Sequence, residues 1–215
     1  GTVNTAVGSQ ALATNTTGGY NVAIGREALK ANTTASYNDA LGYYALGANT
    51  TGTQNVSLGS KTLMGNTTGD NNTAVGYHAL DANTTASQMC AFGYEALSTS
   101  DTEAYNNAFG YQALKVANGG RFNTAIGWKN MASLTTGDDN TGLGHDVMPS
   151  LTTGDDNTAL GNNTLYALTT GDSNTAVGGN ALDSTTTGDD NVAIGKDALG
   201  SITTTSDNVA VGSGA

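Results

Sequence analysis

Residues 72–88 read NTAVGYHALDANTTASQ, and the fold follows from how often that phrase returns. Asn4, Asn21, Asn38, Asn55 and Asn72, then Asn106, Asn123, Asn140, Asn157, Asn174, Asn191 and Asn208 lie on one lattice of 17 residues, with Met89 as the single substitution. Four residues after each lattice position stands a glycine, from Gly8 to Gly212, so the register holds through thirteen copies. The unit is N-T-A-V-G-x-x-A-L-x-x-N-T-T-G-x-x. Its fourth position is always apolar (Val7, Ile24, Leu41, Leu58 and onward to Val211), and five residues later comes Leu or Met, as at Leu29, Met131 and Leu199.

Seventeen residues are too few for a two-helix repeat, and a glycine in every copy among many Thr and Asn is poor helix material. Short β-segments turned by Gly, Asn and Asp fit instead. The expected fold is therefore all-β, a parallel β-solenoid or β-roll of about 12–13 coils, one continuous segment over 1–215. Coils about 4.8 Å apart would build a rod on the order of 60 Å long. The two bulky columns, at the fourth position and at the Leu/Met position, are expected to form the core. The opposite strand face, Asn-Ala-Gly, carries no charge in any copy, which predicts an external cover, most simply further copies of the same chain around an axis. The repeat is met in mid-coil at both ends, which predicts a piece of a longer fibre.

The net charge of −11 argues against nucleic acid and anionic membranes as partners. That charge is uneven: residues 1–129 hold seven acids and six bases, whereas 130–215 hold eleven Asp and only Lys196. Near 117–123, by Gly119 and Gly120, the Asn of Asn-Thr-Thr also gives way to Leu134, Leu151 and Leu168, so a change of cross-section or neighbour is expected there. Cys90 is the one cysteine, which excludes an intrachain disulfide framework and a CxxC metal site. No apolar run is long enough for membrane insertion.

The strings NVAIGREAL (21–29) and NVAIGKDAL (191–199) resemble the S-V-A-I-G-x-x-A core of trimeric autotransporter adhesin heads, which are parallel β-rolls. The longer phrase NTAVGYHALDANTTA (72–86) is more similar still to repeats of bacteriophage tail fibres. The resemblance spans the chain and implies a homotrimeric extracellular, cell-surface or virion fibre that attaches to cells and performs no chemistry. It departs from the adhesin pattern in its longer repeat. A purely structural shaft or self-assembling filament is the alternative reading.

In a solenoid a functional site is a column. The residue after the glycine gives Tyr77, Tyr94, Tyr111, Trp128 and His145 on five successive coils, a candidate surface for a cell-surface glycan, with Gln112 and Lys129 beside it. Its structural counterpart is an aromatic ladder. Asp138, Asp155, Asp172 and Asp189, with Asp139, Asp156 and Asp190 next to them, stack like charges about 5 Å apart. Either they splay into water or calcium sits between coils. Thr-Thr pairs offer one outward Thr column, so ice binding is a minor alternative. Asn15, Asn32, Asn49, Asn66 and Asn83 match the glycosylation sequon, yet their register points to an Asn ladder. His78 and His145 are four coils apart, about 19 Å, and no nucleophile or metal-ligand motif is present, so the chain is not expected to be an enzyme.

Overall fold

The computed structural model describes residues 1–100 and 105–215. They form two compact units, Gly1–Asn106 and Asn107–Ala215. Unit 1 contains β1 (Thr5–Val7), β2 (Val22–Ile24), β3 (Asp39–Leu41), β4 (Val56–Leu58), β5 (Thr73–Val75) and β6 (Cys90–Phe92). Unit 2 contains β7 (Asn107–Phe109), β8 (Thr124–Ile126), β9 (Thr141–Leu143), β10 (Thr158–Leu160), β11 (Thr175–Val177), β12 (Val192–Ile194) and β13 (Val209–Val211). Within each unit every strand pairs in parallel with its sequence neighbours at a step of one repeat, for example Ala6 with Ala23 and Ala176 with Ala193. Both units are parallel β-solenoids whose coils are 17 residues long.

Only three residues per coil are strand, so corners make up most of the chain. Three non-glycine residues in a typical coil take left-handed backbone angles: in the coil that begins at Asn72 these are His78 (φ 55°), Leu80 (φ 51°) and Gln88 (φ 61°). Such a conformation costs a bulky residue on the order of 1–2 kcal/mol. It recurs because it turns each corner so that backbone groups reach the next coil, as in Leu80 N–H to Ala96 C=O at 3.1 Å and Gly65 N–H to Asp81 C=O at 2.8 Å. The lattice glycine has a stricter reason. Gly76 sits at φ 129°, and a Cβ there would lie 2.4 Å from the carbonyl oxygen of Gly93.

The interior reverses half of what the hydrophobic pattern predicts. The Leu/Met column is buried as expected: Leu29, Leu46, Leu63, Leu80 and Leu97 in unit 1, and Leu114, Met131, Met148, Leu165 and Leu182 in unit 2, have no exposed surface. Opposite it, however, stands the alanine column (Ala23, Ala40, Ala74 and Ala91; Ala108, Ala125, Ala176 and Ala193), equally buried. The fourth-position column faces outward. Leu41, Leu58 and Phe92 in unit 1 and Phe109, Ile126, Leu143, Leu160 and Ile194 in unit 2 are between 36% and 44% exposed. The cause is volume. A coil this short encloses one layer of large side chains, so the strand facing Leu can offer only a methyl. The uncharged Asn-Ala-Gly face needs no external cover because it is the lumen.

Two exceptions in the alanine column show how tight that lumen is. Ser57 donates its hydroxyl to the carbonyl of Thr62, whose own hydroxyl donates to Gly59 C=O at 2.9 Å. At Gly142 a Cβ would lie 2.3 Å from Asn130 Oδ1, so the larger Asn130 is matched by a missing methyl across the lumen. In each case a change on one wall is answered on the facing wall.

Two polar ladders complete the interior. Along each unit a lattice asparagine accepts the backbone N–H of the next lattice residue, as Asn21 Oδ1 from Asn38 at 3.0 Å and Asn140 Oδ1 from Asn157 at 3.0 Å. Its amide also donates to a carbonyl 14 residues ahead, Asn38 to Gly52 and Asn157 to Gly171. The Asn-Thr-Thr asparagines of unit 1 bond one another through their side chains, Asn32 to Asn15 at 2.9 Å and Asn66 to Asn49 at 2.8 Å. Asn32, Asn49, Asn66 and Asn83 are fully buried, which identifies the sequons as an interior amide ladder. The first Thr of each pair donates its hydroxyl to its successor's carbonyl, as Thr67 to Thr84 and Thr152 to Thr169, both at 2.9 Å.

Candidate functional site

Each unit carries its own part of the aromatic column. In unit 1, Tyr77 and Tyr94 stack at 5.6 Å with planes 16° apart, and His78 meets Tyr77 edge-on at 4.2 Å. In unit 2, Trp128 lies between Tyr111 (6.0 Å, 13°) and His145 (4.8 Å, 8°). The coil step sets this geometry, since rings on consecutive coils stack face to face. Each ring therefore covers its neighbour's face and shows the solvent an edge. Sugars bind aromatic side chains through the ring face, so the stacked column is built as a ladder. A second ladder that the sequence reading passed over, Tyr20 on Tyr37 at 5.1 Å and 1°, uses the corner two residues before β2 and β3. Its signal was available in the 17-residue separation of the two tyrosines.

The aspartate column has a defined use. Asp138 Oδ1 accepts the Arg121 N–H at 2.6 Å, Asp155 accepts Asp138 N–H at 2.7 Å, Asp172 accepts Asp155 N–H at 2.8 Å, and Asp189 accepts Asp172 N–H at 2.9 Å. In unit 1 the same position is served by Ser36, which accepts Gly19 N–H, and by Asp70, which accepts Thr53 N–H. Carboxylates placed one coil apart repel, and a backbone N–H directed at each one offsets that repulsion. Asp139, Asp156 and Asp190 occupy the adjoining left-handed corner, at φ 58°, 57° and 54°. Among the described residues no group of three or more His, Cys, Asp or Glu is arranged to hold a metal ion.

One cleft is shaped like a ligand site. It is an open groove wholly within unit 2, of about 430 Å³, lined by Gln112, Trp128, Lys129, Ala132, Ser133, Asp146, Pro149 and Tyr166. Gln112, Lys129 and Asp146 are left-handed corner residues on three successive coils, at φ 54°, 50° and 49°. Lys129 Nζ lies 4.6 Å from the centre of the Trp128 ring, a cation–π contact. Pro149 and Tyr166 stand three residues beyond that corner on later coils. The small Ala132 at the same place opens the floor between them and Trp128. Sequence reasoning named Trp128, Gln112 and Lys129 but missed Pro149 and Tyr166. They sit in a column of the repeat with no consensus, although the chain's single proline was a flag.

A charged cluster occupies the second coil of unit 1. Glu27 is nearly buried and pairs with Arg26 at 2.9 Å and Lys30 at 3.0 Å. The hydrogen bond from Lys30, with help from Tyr44 and Arg26, holds the Glu27 carboxyl below its ordinary range against the opposing effect of burial. Cys90 lies on β6, and burial pushes its thiol above the usual range, the reverse of what activates a nucleophile. His78 meets Asp81, and His145 both stacks on Trp128 and lies 3.4 Å from Asp146 Oδ2.

No model of a known protein family, no curated protein and no solved structure matches the chain.

Proposed function

We propose that the chain is a non-enzymatic segment of an extracellular or virion fibre, of the tail-fibre or adhesin-head kind, that assembles as a homotrimer and serves attachment to a cell surface. The observation that carries this reading is the outward fourth-position column, a stripe of Val, Ile, Leu and Phe repeated on every described coil of each unit. Contiguous exposed apolar stripes of this kind mark interaction surfaces. Burying the remaining half of each such side chain contributes roughly 1 kcal/mol, so a regular stripe favours association between copies. This is the face opposite to the alanine face from which the sequence pattern argues for self-assembly. The net charge of −11 supports partners other than nucleic acid. Among the described residues no helix is long and apolar enough to cross a membrane.

Sedimentation equilibrium tests the assembly. The expected result is a trimer that dissociates on Leu143→Asp with Leu160→Asp, while the far-ultraviolet circular dichroism of the coils is retained. A native chain that sediments as a monomer at high concentration overturns it. The ring-on-ring stacks favour a second reading, a shaft that spaces a distal tip. That reading predicts a trimer with no affinity for cell surfaces.

A further inference from the structure

We propose that the unit 2 cleft binds a neutral hexopyranose of a cell-surface glycan, with Tyr166 as the stacking platform and Asp146, Gln112 and Ser133 as the groups that bond its hydroxyls. The inference rests on the attachment reading and names the partner of that attachment. The cleft's volume, about 430 Å³, falls within the roughly 300–1,000 Å³ of small-ligand sites. Its lining combines a carboxylate, an amide and a hydroxyl with aromatic surface, which is the chemistry a sugar ring needs: apolar C–H faces on one side and hydroxyls around the rim.

The aromatic roles separate cleanly. Trp128 has Tyr111 on one face and His145 on the other, with Lys129 over its ring, so it walls the cleft with its edge. Tyr166 is exposed and, among the described residues, stacks on no other ring. It is the ring in the cleft whose face is open to a sugar. Gln112, Lys129 and Asp146 follow one another at the coil step of about 4.8 Å, comparable with the width of a pyranose ring. A carboxylate at such a place accepts hydrogen bonds from neighbouring hydroxyls, stronger than those to a neutral acceptor.

Charge selects the class of sugar. Unit 2 carries eleven Asp against Lys115, Arg121, Lys129 and Lys196, a net charge of −7. The one ammonium in the cleft lies over the Trp128 ring, and the lining also holds the Asp146 carboxylate. Sialic acids and uronates would meet a repulsive field, whereas neutral hexoses are unaffected.

Saturation-transfer NMR on the intact chain tests the site, with methyl glucoside, methyl galactoside and methyl mannoside at millimolar concentration and methyl glucuronide as the anionic counterpart. At least one neutral pyranoside is expected to receive saturation while the glucuronide receives none. Tyr166→Ala and Asp146→Ala are each expected to weaken binding tenfold or more. Tyr166→Phe, which keeps the ring face, should recover most of the binding that Tyr166→Ala loses, and Tyr94→Ala in unit 1 should leave it unchanged. Circular dichroism identifies any variant that fails to fold, and Tyr166→Phe keeps the comparison interpretable in that case. Absence of transfer to every neutral pyranoside, transfer unchanged in both alanine variants, or preference for the glucuronide overturns the proposal. Sedimentation of the same samples separates the two ideas. A trimer without sugar binding overturns the cleft alone, and a sugar-binding monomer overturns the fibre assembly alone.

Discussion

Unit 1 and unit 2 share a backbone repeat but fill one interior corner by opposite means. In unit 1 the corner before Thr-Thr is an amide ladder, Asn15 to Asn83, each side chain bonding its neighbour and a carbonyl three residues on. In unit 2 it is Leu134, Leu151 and Leu168, all fully buried, followed by Thr185. An amide ladder gains from every added rung but leaves an acceptor unmatched at its end. Among the described residues, Asn83 Oδ1 and the Ser100 hydroxyl, which stands one repeat later, are both buried without a partner. An aliphatic stack has no such end effect. The same corner is thus directional and vulnerable to a single break in unit 1, and indifferent to order in unit 2.

The largest effect is expected where the two solutions are exchanged. Leu151→Asn loses the burial and packing of a leucine and places an amide oxygen among Leu134 and Leu168. Truncation of a core leucine costs about 2–5 kcal/mol and an unmatched buried polar group about 1–3 kcal/mol. A loss of about 5 kcal/mol is expected by urea denaturation, and more than for Leu151→Ala. Equal costs for the two variants would show that the unit 2 corner can accept an amide, and the contrast between the units would fall.

The reverse break is smaller. Asn49→Ala removes the donor to the buried Asn32 Oδ1, while Gly52 C=O keeps its bond from Asn38 and Asn66 keeps its bond to Gly69. One unmatched acceptor predicts a loss of about 2 kcal/mol. Asn49→Asp isolates the hydrogen bonding from the shape, and if it is as stable as the native chain the ladder is not held by its amides.

The period, the parallel stacking, the buried leucines and the amide ladder were all legible in the sequence, because each depends on spacing alone. Which strand face points inward was not. The lumen face carries no charge and the outer face only Asp39, and hydropathy ranks Val, Ile and Leu above Ala, so it assigns the bulky face to the core. The deciding quantity is the space inside a 17-residue coil, which appears only when the corner angles at residues such as His78 and Leu80 are known. The cleft was half legible for a related reason. Trp128 and Lys129 sit in recognisable columns, but Tyr166 is brought to them by stacking two coils later in a column with no consensus.

A milder contrast lies in the acidic corner. Unit 2 uses Asp138, Asp155, Asp172 and Asp189 where unit 1 mixes Ser36, Asp70 and Ser87. Asp155→Ala removes the acceptor of the Asp138 N–H at an exposed site and is expected to cost about 1 kcal/mol. Because one oxygen of each carboxylate is already engaged by backbone, neither calcium nor a chelator is expected to shift the melting temperature. A rise in calcium that EDTA reverses would mean that the free oxygens bind metal between coils.

The smallest effect concerns acid. Glu27 in unit 1 and Asp197 in unit 2 both have carboxyls held below their ordinary range, Glu27 chiefly by Lys30 and Asp197 chiefly by Lys196 and then Asn180. A carboxylate whose folded pKa is depressed adds stability above its unfolded value, near 4.5 for Glu27 and 3.8 for Asp197, and loses it as the pH falls through the lower folded value. Glu27 is nearly buried with two cationic partners, whereas the Asp197 side chain is 43% exposed beside one lysine. Acid should therefore loosen the second coil of unit 1 more than the last coils of unit 2. Lys30→Met removes the main cause of the Glu27 shift, so the Glu27 carboxyl should titrate at a higher pH by NMR. Hydrogen exchange in that coil should quicken earlier in the acid range, with Asp197 unchanged. A Glu27 titration that does not move in Lys30→Met would place the cause in Arg26 and Tyr44, and an equal acid response in the two regions would remove this last difference between them.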